Sequence, residues 1–199
     1  MKERIISIDI GRKNLGYTIA ECDHFDSNRK IEEVEFHFGL FNIDGTSRSK
    51  DNIVIHRTRT LQNWISENCI SEDSTIIGVV IERQVANNTI AMSVMYLLCG
   101  LFSSLTSNIC IFAPALKFDR IKQPYESQSK KHKALSVSNA THISTHLSNG
   151  SCESLTSELS IRTKRDDIAD SFNQLVIWLI DERLLSNTFE DIQSWIGLI

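Results

Sequence analysis

No stretch of this sequence is apolar for long enough to span a membrane. The most apolar run, from Ile90 to Leu105, is shorter than the ~20 residues that a spanning helix needs, and Ser and Cys residues interrupt it. The apolar run at the N-terminus is also short and contains Asp9, which is not typical of a secretory signal peptide. We therefore expect an intracellular protein without a membrane anchor.

Cysteine pairs and the common nucleophile motifs are missing too. The five cysteines lie far apart and form no CxxC pair, which favours reduced thiols over disulfides or a structural zinc site. The sequence has neither an HExxH nor a GxSxG motif, so we expect neither a zinc protease nor a serine hydrolase of those types. His142 and His146 have a spacing that could hold a metal, but surface positions explain them more simply.

An overall excess of positive charge is absent as well. The net charge is −4 and the pI is about 5.9, so the charge of the whole protein gives no support for nucleic-acid binding. Basic residues are nevertheless concentrated in three segments, at positions 48–59, 117–133 and 162–165. Such segments are either solvated loops or local contacts for phosphate groups.

The hydrophobic pattern predicts an alternating α/β chain. Strands are expected at residues 4–10, 15–21, 34–43, 75–82 and 108–113. Helices are expected at residues 53–68, 89–105, 131–147, 166–185 and 189–199, and loops at 115–130 and 148–163. Three strands in hairpin order, followed by two strands that each come after a helix, predict one domain over residues 1–199. Its fold class is α/β and ribonuclease H-like, with a mixed five-stranded sheet and helices on both faces.

Two acidic residues stand at the ends of predicted buried strands. Asp9 lies near the end of the first strand and Glu82 ends the run TIIGVVIE. A buried carboxylate is costly unless it is compensated, and these two strands are neighbours and parallel in the predicted plan. The two carboxylates would therefore repel each other, and a divalent cation would remove that repulsion. Oxygen ligands alone favour Mg²⁺ or Mn²⁺ over zinc.

The helix that begins near residue 166 adds a second group of acids. Measured from the apolar stripe at Ile168, Asp167 and Asp170 lie on one flank, at about −100° and −160°, whereas Asp166 lies at about +160°. This geometry favours Asp167 and Asp170 as further metal ligands. The alternative is that all three acids only stabilise the N-terminus of the helix through its dipole.

Four segments, in this order, carry a resemblance to a known family. The stretches SIDIGRKNLGYTI, VVIERQ, SKKHKALSV and KRDDIADSF look like the motif regions of the poxvirus Holliday junction resolvases, which are relatives of the bacterial RuvC and fungal mitochondrial resolvases. The resemblance extends from about residue 4 to residue 180. IERQ and DDIADSF are its more specific parts, because actin-like ATPases begin with the same DxG hairpin.

The resemblance implies a metal-dependent endonuclease that acts on four-way and other branched DNA. It implies that Asp9, Glu82, Asp167 and Asp170 bind the metal, with two Mg²⁺ ions in each site and Mn²⁺ as the alternative. It also implies a catalytic lysine in the basic motif before the last major helix. Lys131 fits this lysine best, while Lys130 and Lys133 remain open.

DNA contacts are expected from basic residues around this site, although the segment after IERQ departs from the family pattern. Some relatives carry Arg there, whereas this chain has VANN at positions 85–88. The expected DNA contacts are Arg83, Lys122, Lys130, Lys133, Lys164 and Arg165.

The resemblance further implies a homodimer, and a protein that works in the cytoplasm of an infected cell. We place the dimer interface on the predicted helix from Thr89 to Leu105. Its sheet-facing stripe is predicted to consist of Ile90, Val94, Leu97, Leu98 and Leu101. The side chains predicted to point outward are Met92, Met95, Tyr96, Cys99 and Phe102. In the alternative arrangement, the C-terminal helix with Trp195 and Ile196 covers this face within one chain.

Three other functions compete with this one. A branched-DNA-binding module that lacks catalysis would have the fold but would not need the full set of acids. A related nuclease that acts on RNA would keep the same acids. An actin-like ATPase would need further glycine-rich phosphate and adenosine motifs, and the chain has only eight glycines.

Overall fold

The computed structural model describes residues 1–11, 13–43, 53–121, 129–161 and 164–198. The strands are β1 (Lys2–Ile10), β2 (Asn14–Cys22), β3 (Glu35–Asn42), β4 (Ser74–Glu82) and β5 (Ile109–Phe112). The helices are α1 (Ile53–Trp64), α2 (Thr89–Phe102), α3 (Leu116–Asp119), α4 (Ser129–Ser144), α5 (Asn149–Ile161), α6 (Arg165–Asp181) and α7 (Phe189–Trp195).

The five strands form one mixed sheet in the order β3-β2-β1-β4-β5. The pairs β1/β2 and β2/β3 are antiparallel, whereas β1/β4 and β4/β5 are parallel. In the β1/β4 register Ile8 is paired with Ile81, so the next residues, Asp9 and Glu82, end neighbouring strands at the same edge of the sheet. The predicted sheet is confirmed.

Helices cover both faces of the sheet, as predicted. Alternate residues of β1 point to opposite faces, so Ile5 belongs to one hydrophobic core and Ile6 to the other. The core that contains Ile5 includes residues of α4, α5, α6 and α7, and the core that contains Ile6 includes residues of α1 and α2. Val79, Val80 and Ile81 of β4 are fully buried, which explains why this strand reads as a continuous apolar run.

The Ser-rich segment that the sequence predicts as a loop contains a helix. Helix α5 buries Leu155 and Leu159, which are four residues apart, and it packs against β3 and α6. Ser151 is also buried and accepts a hydrogen bond from the backbone N–H of Phe36 at 2.9 Å. Packing against the sheet therefore overrides the weak helix propensity of serine.

The predicted orientation of α2 is partly wrong. Val94 and Leu98 are buried as expected, but Met95 and Phe102 are also buried, with exposures of 5% and 0%, while Ile90 is 38% exposed. The real stripe recurs every three or four residues from Ala91, because this set lies closest to β1 and β4. Helix α7 packs on α4, in the core on the other side of the sheet, so it does not cover α2.

Within the described ranges, none of the helices combines the length and the apolar character that crossing a membrane requires.

Candidate metal centre

The parallel strands β1 and β4 bring two carboxylates together at their carboxyl ends. Asp9 is 6% exposed. Its burial, followed by the negative charge of Glu82, raises the pKa of Asp9 well above its ordinary value. Burial acts in the same direction on Glu82, but the ammonium of Lys117 and the hydrogen bonds with Asp9, Lys117 and Gln84 together lower the pKa of Glu82. The pair therefore favours a proton on Asp9 and a charge on Glu82.

Lys117 is the cation of this cluster. It lies on the short helix α3, is 4% exposed, and its Nζ donates to Oε1 of Glu82 at 2.9 Å. The same Nζ is 2.9 Å from Oδ1 of Asp170. Burial opposes the charge on Lys117, but Asp170, Glu82 and Asp9 together raise its pKa above the ordinary value. Lys117 is therefore an ammonium ion surrounded by carboxylates.

Helix α6 delivers the remaining acids from the other side. Asp170 accepts a hydrogen bond from Oγ of Ser136 at 2.7 Å, in addition to its contact with Lys117. Asp167 is close to the turn after β1, since a Cβ placed on Gly11 would be 3.4 Å from its Oδ2. Burial, and then the charge of Asp166, raise the pKa of Asp167 to about 6.

Asp166 differs from these acids in having its own cation. Its carboxylate forms an ion pair with Nζ of Lys133 on α4. Because Lys133 already compensates it, Asp166 is not left with an unbalanced charge at the cluster. This arrangement agrees with the choice of Asp167 and Asp170 as candidate ligands, which stays a prediction.

The structure thus brings Asp9, Glu82 and Asp170 around Lys117, with Asp167 beside them. The ligand atoms that these acids offer to a metal are all oxygens. Together the acids carry more negative charge than one lysine balances. This donor set fits a hard divalent cation such as Mg²⁺ or Mn²⁺.

A second group of residues has ligand atoms close enough together to hold a metal ion. In the described part of the chain, only Glu21, Glu35 and His37 bring three ligand atoms within 4.8 Å of one another. However, Glu21 is already paired with Lys2 and Arg4. Two cations thus satisfy its carboxylate, so we do not assign a metal to this group.

The lysine predicted in the basic motif stays a prediction. Lys131 is exposed on α4, and Lys133 contacts Asp166. The side chain of Lys130 falls outside the described part of the chain. Sequence reasoning counted Lys117 only as part of a basic segment. The signal that could have placed it is the β4/β5 pairing, in which Glu82 lies beside Phe112, because the chain beyond Phe112 must then pass close to Glu82.

The predicted DNA contacts surround this cluster unevenly. Lys164 and Arg165 are exposed at the start of α6, next to the acids, and Arg83 is exposed directly after β4. Lys122 lies outside the described residues. Their role as DNA contacts stays a prediction.

The fold places the protein in a known structural class. The structure of the fowlpox virus resolvase, solved with its substrate Holliday junction DNA, matches with a TM-score of 0.61 and 19% identity, covering 90% of this chain and 98% of that chain. The RuvC structure from Thermus thermophilus matches with a TM-score of 0.51 and 8% identity, covering 88% of this chain and 94% of that chain. The chain therefore has the ribonuclease H-like fold of the RuvC-like resolvases.

The sequence itself also matches a family. Residues 3–182 match the family described as Poxvirus A22 protein, and the chain belongs to that family. Comparison with curated protein sequences gives no significant match.

Proposed function

We propose that this protein is a structure-specific endonuclease that resolves four-way (Holliday) junctions and other branched DNA by symmetric, metal-dependent nicking. The observation that carries the proposal is the convergence of Asp9, Glu82 and Asp170 in a chain of the Poxvirus A22 family. The fowlpox virus resolvase, which shares the fold, was solved with Holliday junction DNA. The reaction belongs to DNA recombination and repair.

The carboxylates would hold two divalent ions, for which Mg²⁺ is our choice over Mn²⁺. Asp9, Glu82, Asp167 and Asp170 would hold these ions through their carboxylate oxygens. Such a pair of ions supplies an activated water and stabilises the leaving oxygen in phosphodiester hydrolysis. The raised pKa values of Asp9 and Asp167 mean that protons compete with metal at both carboxyl groups, so metal affinity should fall as the pH is lowered.

Lysine side chains would neutralise part of the remaining negative charge. Lys117 neutralises part of the cluster before metal enters and holds Glu82 and Asp170 in place. Lys131, which is exposed on α4, stays our candidate for steadying the negative charge of the attacked phosphate.

We also propose a homodimer that forms through α2, because two symmetric cuts need two related active sites. Tyr96 is 63% exposed on this helix, and Ile90 and Leu105 are 38% and 36% exposed. Met92, Leu97 and Leu101 are only partly buried. The outward face of α2 therefore carries apolar side chains beside the exposed Thr89 and Ser93, and it has no charged residue.

Residues 1–199 would form a single nuclease domain. Membership of a poxvirus family supports work in the cytoplasm of an infected cell, on branched DNA and without a membrane partner.

The decisive experiment incubates the protein with a synthetic four-way junction, matched duplex DNA and structured RNA, with and without Mg²⁺. We expect paired nicks in the junction only when Mg²⁺ is present. The matched control is Asp9→Asn, which should abolish cleavage yet bind the junction at least as well, because it removes a metal ligand and leaves the basic residues around the site in place. Junction binding without cleavage by the unmodified protein would favour the inactive binding module, and cleavage of RNA alone would favour the RNA nuclease.

A further inference from the structure

A cleft with a volume of about 600 Å³ opens beside the carboxylates. It lies where the β1–β2 turn, α1, the start of α2, α4 and the start of α6 meet. Pockets of roughly 300–1,000 Å³ accept ligands of drug size, so the cleft has room for a nucleotide unit. Its lining consists of Gly11, Lys13, Asn14, Arg57, Ile90, Lys133, Lys164 and Asp167.

The charge of this lining is strongly positive. Lys13, Arg57, Lys133 and Lys164 are cations, and Asp167 is the one carboxylate that lines the cleft in the described part of the chain. Four separate elements supply these cations, so they converge only in the folded chain. The lining thus suits a ligand with a negative charge on each repeating unit, as a nucleic-acid strand has.

Arg57 is the fixed part of the cleft. It is only 6% exposed, although it is a charged residue on a helix of the chain surface. Its planar fork of N–H donors matches two oxygens of one phosphate. Lys13, in contrast, is exposed at the mouth of the cleft.

The cleft is continuous with the candidate metal centre. Asp167 belongs to its wall, and Gly11, two residues after Asp9, belongs to it as well. A strand whose phosphate lay at the metal centre would therefore place a neighbouring nucleotide in this cleft. Ile90, at the start of α2, offers an apolar surface to the sugar or base of that nucleotide.

We infer that this cleft binds the backbone of the cleaved DNA strand next to the attacked phosphate, with Arg57 and Lys13 as its phosphate contacts. The inference rests on the proposed function and adds the residues that position the strand. Neither residue is among those expected to bind DNA around α4 and α6, because Lys13 lies between β1 and β2 and Arg57 lies on α1.

The first test compares three charge-removing variants, Arg57→Gln, Lys13→Gln and Arg59→Gln, in metal-free binding to a four-way junction over a series of salt concentrations. Each lost phosphate contact should lower the slope of log K against log salt by about one. We expect this loss for Arg57→Gln and Lys13→Gln. Arg59 is exposed on the same helix, two residues away and on another side, so Arg59→Gln is the control and should keep the slope.

The second test locates the contact on the DNA. Single phosphates on either side of the cleaved bond are replaced by neutral methylphosphonates, one at a time. We expect one adjacent position at which the replacement weakens binding about tenfold for the unmodified protein but hardly at all for Lys13→Gln, since the contact is already lost. If the methylphosphonate weakens binding by the same factor in Lys13→Gln as in the unmodified protein at every position, the inference is overturned.

Two controls keep the outcomes separate. Thermal unfolding shows whether Arg57→Gln folds, and if it does not, the exposed Lys13→Gln decides the question alone. Unmodified protein that neither binds nor cuts any junction would overturn the proposed function and this inference with it. Normal binding and cutting, together with an unchanged salt slope in Lys13→Gln, would overturn the cleft alone.

Discussion

At the scale of single residues, Lys117 compensates the buried carboxylates of the site when no metal is bound. Three carboxylates face one ammonium ion, and two of them lie 2.9 Å from it. The cluster is nearly closed to solvent at Lys117 and Asp9, so water screens the charge of Lys117 poorly. The single positive charge of Lys117 therefore balances part of the negative charge that a divalent ion would balance more completely.

Replacing this lysine should expose the cost of the uncompensated acids. We expect Lys117→Gln to lower the free energy of unfolding by about 3–5 kcal/mol in the absence of metal, because it leaves buried carboxylates without their partner. Millimolar Mg²⁺ should restore more stability in this variant than in the unmodified protein. Urea denaturation with EDTA and with Mg²⁺ measures both effects.

The matched control for that variant is Arg120→Gln. Arg120 also forms an ion pair, with Asp181, but both side chains are substantially exposed. An exposed pair contributes about 0–1 kcal/mol, so this change should be small and independent of Mg²⁺. Equal losses in the two variants would contradict the role assigned to Lys117.

The three acids at the start of α6 should differ in how much each contributes to the cleavage rate. We expect Asp167→Asn and Asp170→Asn each to lower the cleavage rate at least ~100-fold, since each removes a charge held ready at the cluster. Asp166→Asn should cost less, because Lys133 already occupies its carboxylate. Single-turnover cleavage of a four-way junction measures the three rates, and a larger loss for Asp166→Asn would reverse the assignment.

At the scale of secondary structure elements, the position of α6 on the sheet decides where its acids lie. Gly16 of β2 touches the backbone of α6 so closely that an added Cβ would be 2.1 Å from the carbonyl oxygen of Asp167. Oγ of Thr18 and Oγ of Ser171 lie 2.9 Å apart in the same contact. Further along, Nε2 of Gln174 donates to Oγ of Ser7 at 3.0 Å and to the carbonyl oxygen of Val80 at 3.2 Å, which joins α6 to β1 and β4.

The contact at Gly16 provides a test of this positioning. We expect Gly16→Ala to push the start of α6 away from the sheet, which lowers both the melting temperature and the cleavage rate. Junction binding should fall much less than cleavage, because the exposed basic residues remain.

The control is Gly100→Ala, at a glycine where an added Cβ would have no close neighbour. Gly100 lies in α2, with no atom within 4 Å of an added Cβ. Alanine there should raise stability by about 0.5–1 kcal/mol, since glycine is unfavourable within a helix. If Gly16→Ala behaved like Gly100→Ala in stability and cleavage, the close contact would not position the acids.

At the scale of the whole molecule, the outward face of α2 is the expected surface for a second copy of the chain. Met95 is buried at 5%, so a charge at that position would disturb the core instead of testing an interface. Tyr96, which is 63% exposed, is the informative position. We expect Tyr96→Glu to convert a dimer into a monomer, as measured by light scattering at micromolar concentration.

The control for this substitution is Ile161→Glu. Ile161 is 74% exposed at the end of α5, a helix that packs on the opposite side of the sheet from α2. It should leave the dimer intact. Unmodified protein that remains a monomer with junction bound, yet still makes paired cuts, would refute dimerisation through α2.

Much of the fold follows from local sequence patterns. The run TIIGVVIE predicts a strand covered on both faces, and β4 is such a strand, because its side chains have apolar neighbours on either side. The order of strands and helices predicts the mixed sheet. Helix α5 escaped prediction because its serines carry little helical preference, and only contacts with β3 and α6 reveal the buried positions.

The sequence by itself determined the candidate carboxylates, since Asp9 and Glu82 interrupt apolar runs in which an acid is costly, and Asp167 and Asp170 share one flank of a helix. Only the tertiary structure decided which cations meet them. Lys117 and Lys133 are distant in the chain from their acidic partners, and these partners are set by the pairing of β4 with β5 and by the packing of the helices. Long flexible side chains have no periodic signal, so their contacts are fixed by the fold around them and not by their spacing.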